Sequence, residues 1–149
     1  APAADTFEAT IPAVNPLVRV RYPVGWRAKR IRRGVESASP DGEVFLWLEL
    51  YRPAEYNTVQ REHDQYFRRQ GVEVRGAPSR TAFQHNGMQA RTTEFPATWK
   101  GRPTILRYMT LDLGTPDGVM LLMSYWASPQ GDVAYDPAVK SILDSLSPP

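Results

Sequence analysis

Apolar positions recur with two periods along this chain, and the switch between them separates strands from helices. The densest stretch is residues 105–126. Its first run, 105–113, alternates loosely, and its second, 119–126, is apolar at almost every position. Between them Gly114-Thr115-Pro116-Asp117-Gly118 supplies the fixed φ of proline and the free φ of glycine that a reversal needs. A strand apolar on both sides requires cover on each. The pair is predicted to be the central hairpin of a sheet packed on two faces.

Val44, Leu46, Leu48 and Leu50 alternate with Phe45, Trp47, Glu49 and Tyr51, so residues 44–51 form a strand with bulk on both faces, a neighbour of that hairpin. Residues 17–22 read as an earlier strand ending at Pro23-Val24-Gly25-Trp26. Residues 37–42 read as a loop. Residues 72–74, 80–83 and 88–95 form a strand meander that turns at His85-Asn86-Gly87, and residues 95–103 connect it to the hairpin.

Two stretches follow the helical period. Val59, His63, Tyr66, Phe67 and Gln70 share a face between Asn57, a candidate N-cap with Gln60 at the capping-box position, and Gly71 at C′. Val139, Ile142, Leu143 and Leu146 form a second stripe, with Asp136 as N-cap and Pro137 in the first turn. The fold class is α+β, an α/β/α sandwich around an antiparallel sheet. Residues 1–13, rich in Ala and Pro, are a flexible N-terminal segment, and 14–149 a single domain.

Composition narrows the functional classes. There is no cysteine, which removes disulfides, thiolate catalysis and Cys-based zinc sites. The net charge of +2 gives no signature of nucleic-acid binding. No apolar run is long enough to span a membrane as a helix. Ala1-Pro2-Ala3-Ala4-Asp5 resembles what a signal peptidase leaves behind, pointing to a periplasmic or secreted protein.

Charge is uneven along the chain. Arg27, Lys29, Arg30, Arg32 and Arg33 fall within seven positions, and setting those five aside leaves the remainder at −3. As a strand this run carries charge on both faces, the pattern of an edge protected from unwanted pairing. The alternative is a contact surface for an anionic partner. Trp99, Lys100 and Arg102 share a second reversal, where stacking and charge can engage a partner; the alternative is an indole packed back over the sheet.

Signs of catalysis are sparse. No nucleophile elbow, phosphate-cradling glycine loop or His-Glu-x-x-His pattern occurs. His63 is expected to be packed and hydrogen-bonded, and His85 to be solvated. Glu49, Glu94 and Asp112 are candidates for an acid–base pair only if their strands bring them together. No cofactor and no metal site is indicated.

Three stretches resemble the PsbP-like fold family. It includes the extrinsic photosystem II subunit PsbP, a Ran-binding nuclear import factor and exported bacterial proteins of unknown role. Tyr22-Pro23-Val24-Gly25-Trp26 resembles the family's strand-ending turn and residues 57–71 its long helix. Residues 136–146, with Ile142-Leu143-Asp144-Ser145-Leu146, resemble its closing helix. The resemblance implies an α/β/α fold that hosts adaptor and assembly roles. The resulting expectation is a non-enzymatic exported domain that binds a protein partner or assists a cell-envelope complex. A small-molecule binding or hydrolytic protein with a pocket between sheet and helix is the alternative.

Overall fold

Both amphipathic stripes become helices, and the apolar hairpin becomes the middle of the sheet. The computed structural model describes residues 5–148; the first four residues of the proposed signal-peptidase stump lie outside them. In chain order the strands are β1 (Thr6–Ile11), β2 (Val18–Pro23), β3 (Arg27–Ile31), β4 (Gly34–Ala38) and β5 (Val44–Tyr51). A 3-10 turn (Pro53–Glu55) leads into α1 (Tyr56–Arg69). Then follow β6 (Val72–Val74), β7 (Ser79–His85), β8 (Met88–Trp99), β9 (Arg102–Asp112) and β10 (Met120–Ala127), and finally α2 (Pro129–Ala134) and α3 (Asp136–Asp144).

The main sheet runs β3-β4-β5-β10-β9-β8-β6, with β7 also paired to β8. All these pairings are antiparallel. Residues β9 and β10 contribute to the centre are covered on both sides, as continuous apolarity requires. One face packs under α3 and the separate ribbon of β1 and β2, through Val20, Leu46, Leu48, Leu111, Leu121, Ile142 and Leu146. The other packs under α1, where Val59 and Phe67 meet Leu106, Tyr108 and Leu122. β3 lies at one edge, as its two-sided charge predicts.

Several local expectations are corrected. Residues 6–11, placed in a flexible segment, form β1, because Phe7, Ala9 and Ile11 alternate inward and pair with Tyr22, Val20 and Val18. Residues 37 and 38 belong to β4, and the loop begins at Ser39. β8 continues to Trp99 through Pro96, where a connector was expected. The Pro96 carbonyl points outward and accepts from the Arg75 N–H at 2.7 Å. Its missing N–H lies on that same side, where the gap between β6 and β7 leaves no ladder to break.

The helix ends also differ. Asn57 sits inside α1, which starts a residue earlier, and the capping contact belongs to the preceding turn, Arg52 N–H to Glu55 Oε1 at 3.0 Å. Gly71 occupies C′ with φ of 93°, as expected. Asp136 is the first residue of α3, preceded by Tyr135. α2 was not foreseen, although Ser128-Pro129 is a cap followed by a first-turn proline, and Ser128 Oγ accepts from Gly131 N–H at 2.9 Å. His85 is not solvated: its Nε2 donates to the Leu143 carbonyl at 2.6 Å, and Asn86 Nδ2 reaches the Asp144 and Leu146 carbonyls. This turn satisfies carbonyls that the end of α3 leaves free.

Candidate functional site

The β8–β9 connection is a two-residue turn, Lys100-Gly101, with φ of 52° and 76°. Positive φ at both positions matches the twist of a tight hairpin and sets Trp99 opposite Arg102. Register carries the same face across to Thr104, Trp126, Phe45 and, at the sheet edge, Arg27. These ends of five strands enclose a cleft of about 690 Å³ whose lining includes Arg27, Phe45, Trp99, Arg102, Trp126 and Glu43. The volume is in the range of small-ligand and peptide-anchor pockets.

Local hydrogen bonds fix both indoles. Trp99 Nε1 donates to the Gln70 carbonyl just past α1 at 2.8 Å, so the indole folds back over the sheet, as the alternative reading had it, and leaves ring surface along the cleft. Trp126 Nε1 donates to Thr104 Oγ1 at 2.9 Å, and Thr104 donates to the Ala127 carbonyl at 3.1 Å. The two rings meet edge to face, 5.6 Å between centroids. Lys100 Nζ lies 4.4 Å from the Trp99 ring centroid. With the N–H groups satisfied internally, the cleft is offered apolar ring surface and charge.

The basic run is dispersed. Arg27 lines the cleft. Lys29 faces Glu36 in register on the α1 side. Arg30 is on the opposite face and donates through Nη2 to the Thr10 carbonyl of β1 at 2.8 Å. Arg32 is exposed in the turn after β3. Arg33 turns toward the helix, 3.7 Å from Glu55 and 3.5 Å from Glu62. The structure brings Arg27, Trp99 and Arg102 together, sets Lys100 against Trp99, and leaves the rest of the run elsewhere.

The three candidate carboxylates are engaged separately. Glu94 pairs with Arg107 at 2.8 Å, and Asp112 accepts from Gly114 N–H at 2.9 Å. Glu49 lies under α1, 3.5 Å from His63 Nε2, while His63 Nδ1 is 2.5 Å from Ser124 Oγ. The His63 ring stacks on Trp47 with centroids 3.5 Å apart. Nucleophile, base and carboxylate are the residue types of an acyl-transfer triad. Here Ser124 and His63 are 0% exposed and Glu49 6%, and none of them lines the Trp99–Trp126 cleft. A substrate carbonyl has no route to Oγ, so the trio is a polar pin between α1, β5 and β10. His63 is packed and hydrogen-bonded, as its helix face implied.

A second polar contact holds the same interface: Tyr108 Oη donates to Asp64 Oδ1 at 2.9 Å. Burial, then the Asp64 charge, pushes the Tyr108 phenol far above its ordinary pKa and keeps it a donor. Among the described residues no three His, Asp or Glu side chains are grouped to hold a metal ion. No described helix is long and apolar enough to cross a membrane.

The layered antiparallel sheet, the single helix on one face and the closing helix on the other define an α+β domain of PsbP-like fold. The solution structure of cyanobacterial PsbP (CyanoP) from Synechocystis sp. PCC 6803 is similar over 100% of this chain and 95% of its own, with TM-score 0.65 and 9% identity. The crystal structure of LpqN, involved in cell envelope biogenesis of Mycobacterium tuberculosis, is similar over 97% and 92%, with TM-score 0.62 and 13% identity. No family model matches the chain, and no curated protein matches it. At these identities the likeness is one of fold.

Proposed function

We propose that this chain is a non-enzymatic, exported binding domain that engages a protein partner through the Trp99–Trp126 cleft. The observation that carries the proposal is the convergence of Arg27, Phe45, Trp99, Arg102 and Trp126, from five strands, on one concavity at the end of the sheet. Trp and Arg are the residues most enriched among energetic anchors of interfaces. The two indole N–H groups are held from behind, so a partner meets preorganised ring surface and little ordering entropy opposes binding there. The part that LpqN plays in cell envelope biogenesis supports an envelope setting.

A photo-crosslinking residue in place of Lys100, in cells that express the full chain, tests the reading. It predicts one dominant adduct, weakened by raised salt and lost in the Arg27→Glu, Arg102→Glu double variant. An adduct that persists in that variant, at unchanged yield and salt dependence, refutes the cleft as the contact site.

A further inference from the structure

The α1 face carries a second concavity, of about 530 Å³, between the first half of α1 and the outer strands. Its floor is set by register: Arg80 lies opposite Thr93, Ala82 opposite Arg91, and Arg91 opposite Thr110. Side chains on one sheet face alternate, so Arg80 and Arg91 project from the same face as diagonal neighbours. Such positions are roughly 7–8 Å apart at the backbone, within reach of two long side chains converging on one group.

Several arginines elsewhere are ion-paired. Arg21 meets Glu8, Arg52 meets Asp117, Arg75 meets Glu73 and Arg107 meets Glu94. Neither Arg80 nor Arg91 has an ion-pair or hydrogen-bond partner among the described residues. No Asp or Glu lines the concavity, whereas the Trp99–Trp126 cleft includes Glu43 and the neighbouring groove beside α1 includes Asp64 and Glu73. Two like charges on adjoining strands repel. An anion between them relieves that repulsion and accepts from both guanidinium forks.

The remaining lining gives the anion a body. Phe95 and Tyr108 supply apolar ring surface, and the Tyr108 hydroxyl is already committed to Asp64. Thr93 and Thr110 add uncharged hydroxyls on the same face. We propose that this concavity binds a small organic oxyanion, a phosphate or carboxylate joined to an aromatic or short apolar group. The head lies between Arg80 and Arg91, and the body lies on Phe95 and Tyr108. The site is separate from the partner cleft and does not depend on it.

Phenyl phosphate, benzoate, inorganic phosphate and phosphatidylglycerol vesicles are titrated into the full chain, followed by backbone amide chemical shifts. Saturable shifts are expected at residues 80–82 and 91–93 with phenyl phosphate or benzoate, the tighter of the two defining the head group. Inorganic phosphate, which has no body to place on the rings, is expected to bind about tenfold more weakly, the scale of ~1.4 kcal/mol. The Arg80→Gln, Arg91→Gln double variant is expected to lose at least about tenfold in affinity at unchanged Tm, while Arg27→Glu, Arg102→Glu binds as the parent does. Equal binding by the Arg80/Arg91 variant, shifts centred on Trp99 and Trp126, or inorganic phosphate binding as tightly as phenyl phosphate each overturns the proposal. Vesicle binding without binding of either soluble ligand also overturns it, in favour of a membrane surface.

Discussion

The two faces of the sheet are built from different chemistry. Beneath the β1–β2 ribbon and α3 the contacts are mainly aliphatic: Val18, Val20, Leu46, Leu48, Leu111, Leu121, Met123, Ile142 and Leu146 are all buried. Beneath α1 they are aromatic and polar, with Trp47 on His63, Glu49 and Ser124 beside it, and Tyr108 donating to Asp64. α1 has 14 residues, a rod of about 21 Å, and it leaves the ends of its face open. Both functional proposals lie in those openings. The ribbon-side core is mainly aliphatic, with its polar contacts at the end of α3, and the α1 side adds buried directional contacts that fix side-chain positions.

The largest effects should come from removing apolar volume on either side. Phe67→Ala on the α1 side is expected to cost about 3–5 kcal/mol, and Ile142→Ala on the ribbon side about 2–5 kcal/mol, in chemical denaturation. Leu143 shared the sequence stripe, and full burial would have given Leu143→Ala the same cost. Leu143 is only half-buried, so that change should fall below Ile142→Ala. A Phe67→Ala cost under 1 kcal/mol would mean that α1 is not integral to the fold.

The polar pin separates the faces more sharply. Ser124→Ala strands His63 Nδ1 in a fully buried site, and an unsatisfied buried group costs about 1–3 kcal/mol. The isosteric change to an apolar group on the other face, Met123→Leu, should cost less than about 1.5 kcal/mol. Equal costs measured in one denaturant series would erase the distinction.

Alkaline pH probes both faces at once. Burial raises the Tyr22 phenol to about 12, partly offset by the Ser37 hydroxyl. Burial, with the Tyr56 and Asp112 charges, raises Tyr51 to about 12. Below the ordinary value near 10 both are protonated in either state, and their contribution to stability is complete. Between pH 10 and 12 the unfolded chain releases its protons first, so stability falls and is lost as pH rises through the folded values. Denaturation midpoints should therefore decline over that window. Tyr22→Phe, which lies on the ribbon face, should reduce the slope and leave the share of Tyr51 and of the other buried phenols, Tyr108 and Tyr125. A slope unchanged in Tyr22→Phe would show that Tyr22 ionises freely in the folded chain.

Sequence signals match the structure where an element's own residues decide how it is buried. The 119–126 run, the alternation of residues 44–51 and the stripe from Val59 to Phe67 each map onto an element. What escaped was set by contacts distant in sequence. Residues 6–11 read as part of a flexible segment because Pro and Ala flank them, and only pairing with β2 makes their alternation meaningful. Pro96 looked like a chain break because the gap in its outer partner is invisible from local sequence. His63, Ser124 and Glu49 come from three elements with no characteristic spacing, so no motif search finds them. In the same way Trp99 and Arg102 were legible as a pair in a turn, whereas Phe45 and Trp126 join them only through register.

The smallest stability effect is expected at the basic edge, and it decides which of its two sequence readings holds. Arg30 and Arg32 lie outside the Trp99–Trp126 cleft, Arg30 directed to the Thr10 carbonyl and Arg32 exposed. Reversing both charges removes one exposed hydrogen bond and leaves the apolar contacts intact, so the stability change should stay near 0.5 kcal/mol. If Arg30 and Arg32 only guard the sheet edge, the Arg30→Glu, Arg32→Glu variant should bind the partner as the parent does, because new like charges also discourage edge pairing. If the whole run is the contact face, the variant should lose binding to the same extent as Arg27→Glu, Arg102→Glu, with a shallower salt dependence. The division of the run among cleft, ribbon and helix favours the first outcome. A side-by-side affinity measurement of the two double variants at two salt concentrations separates them.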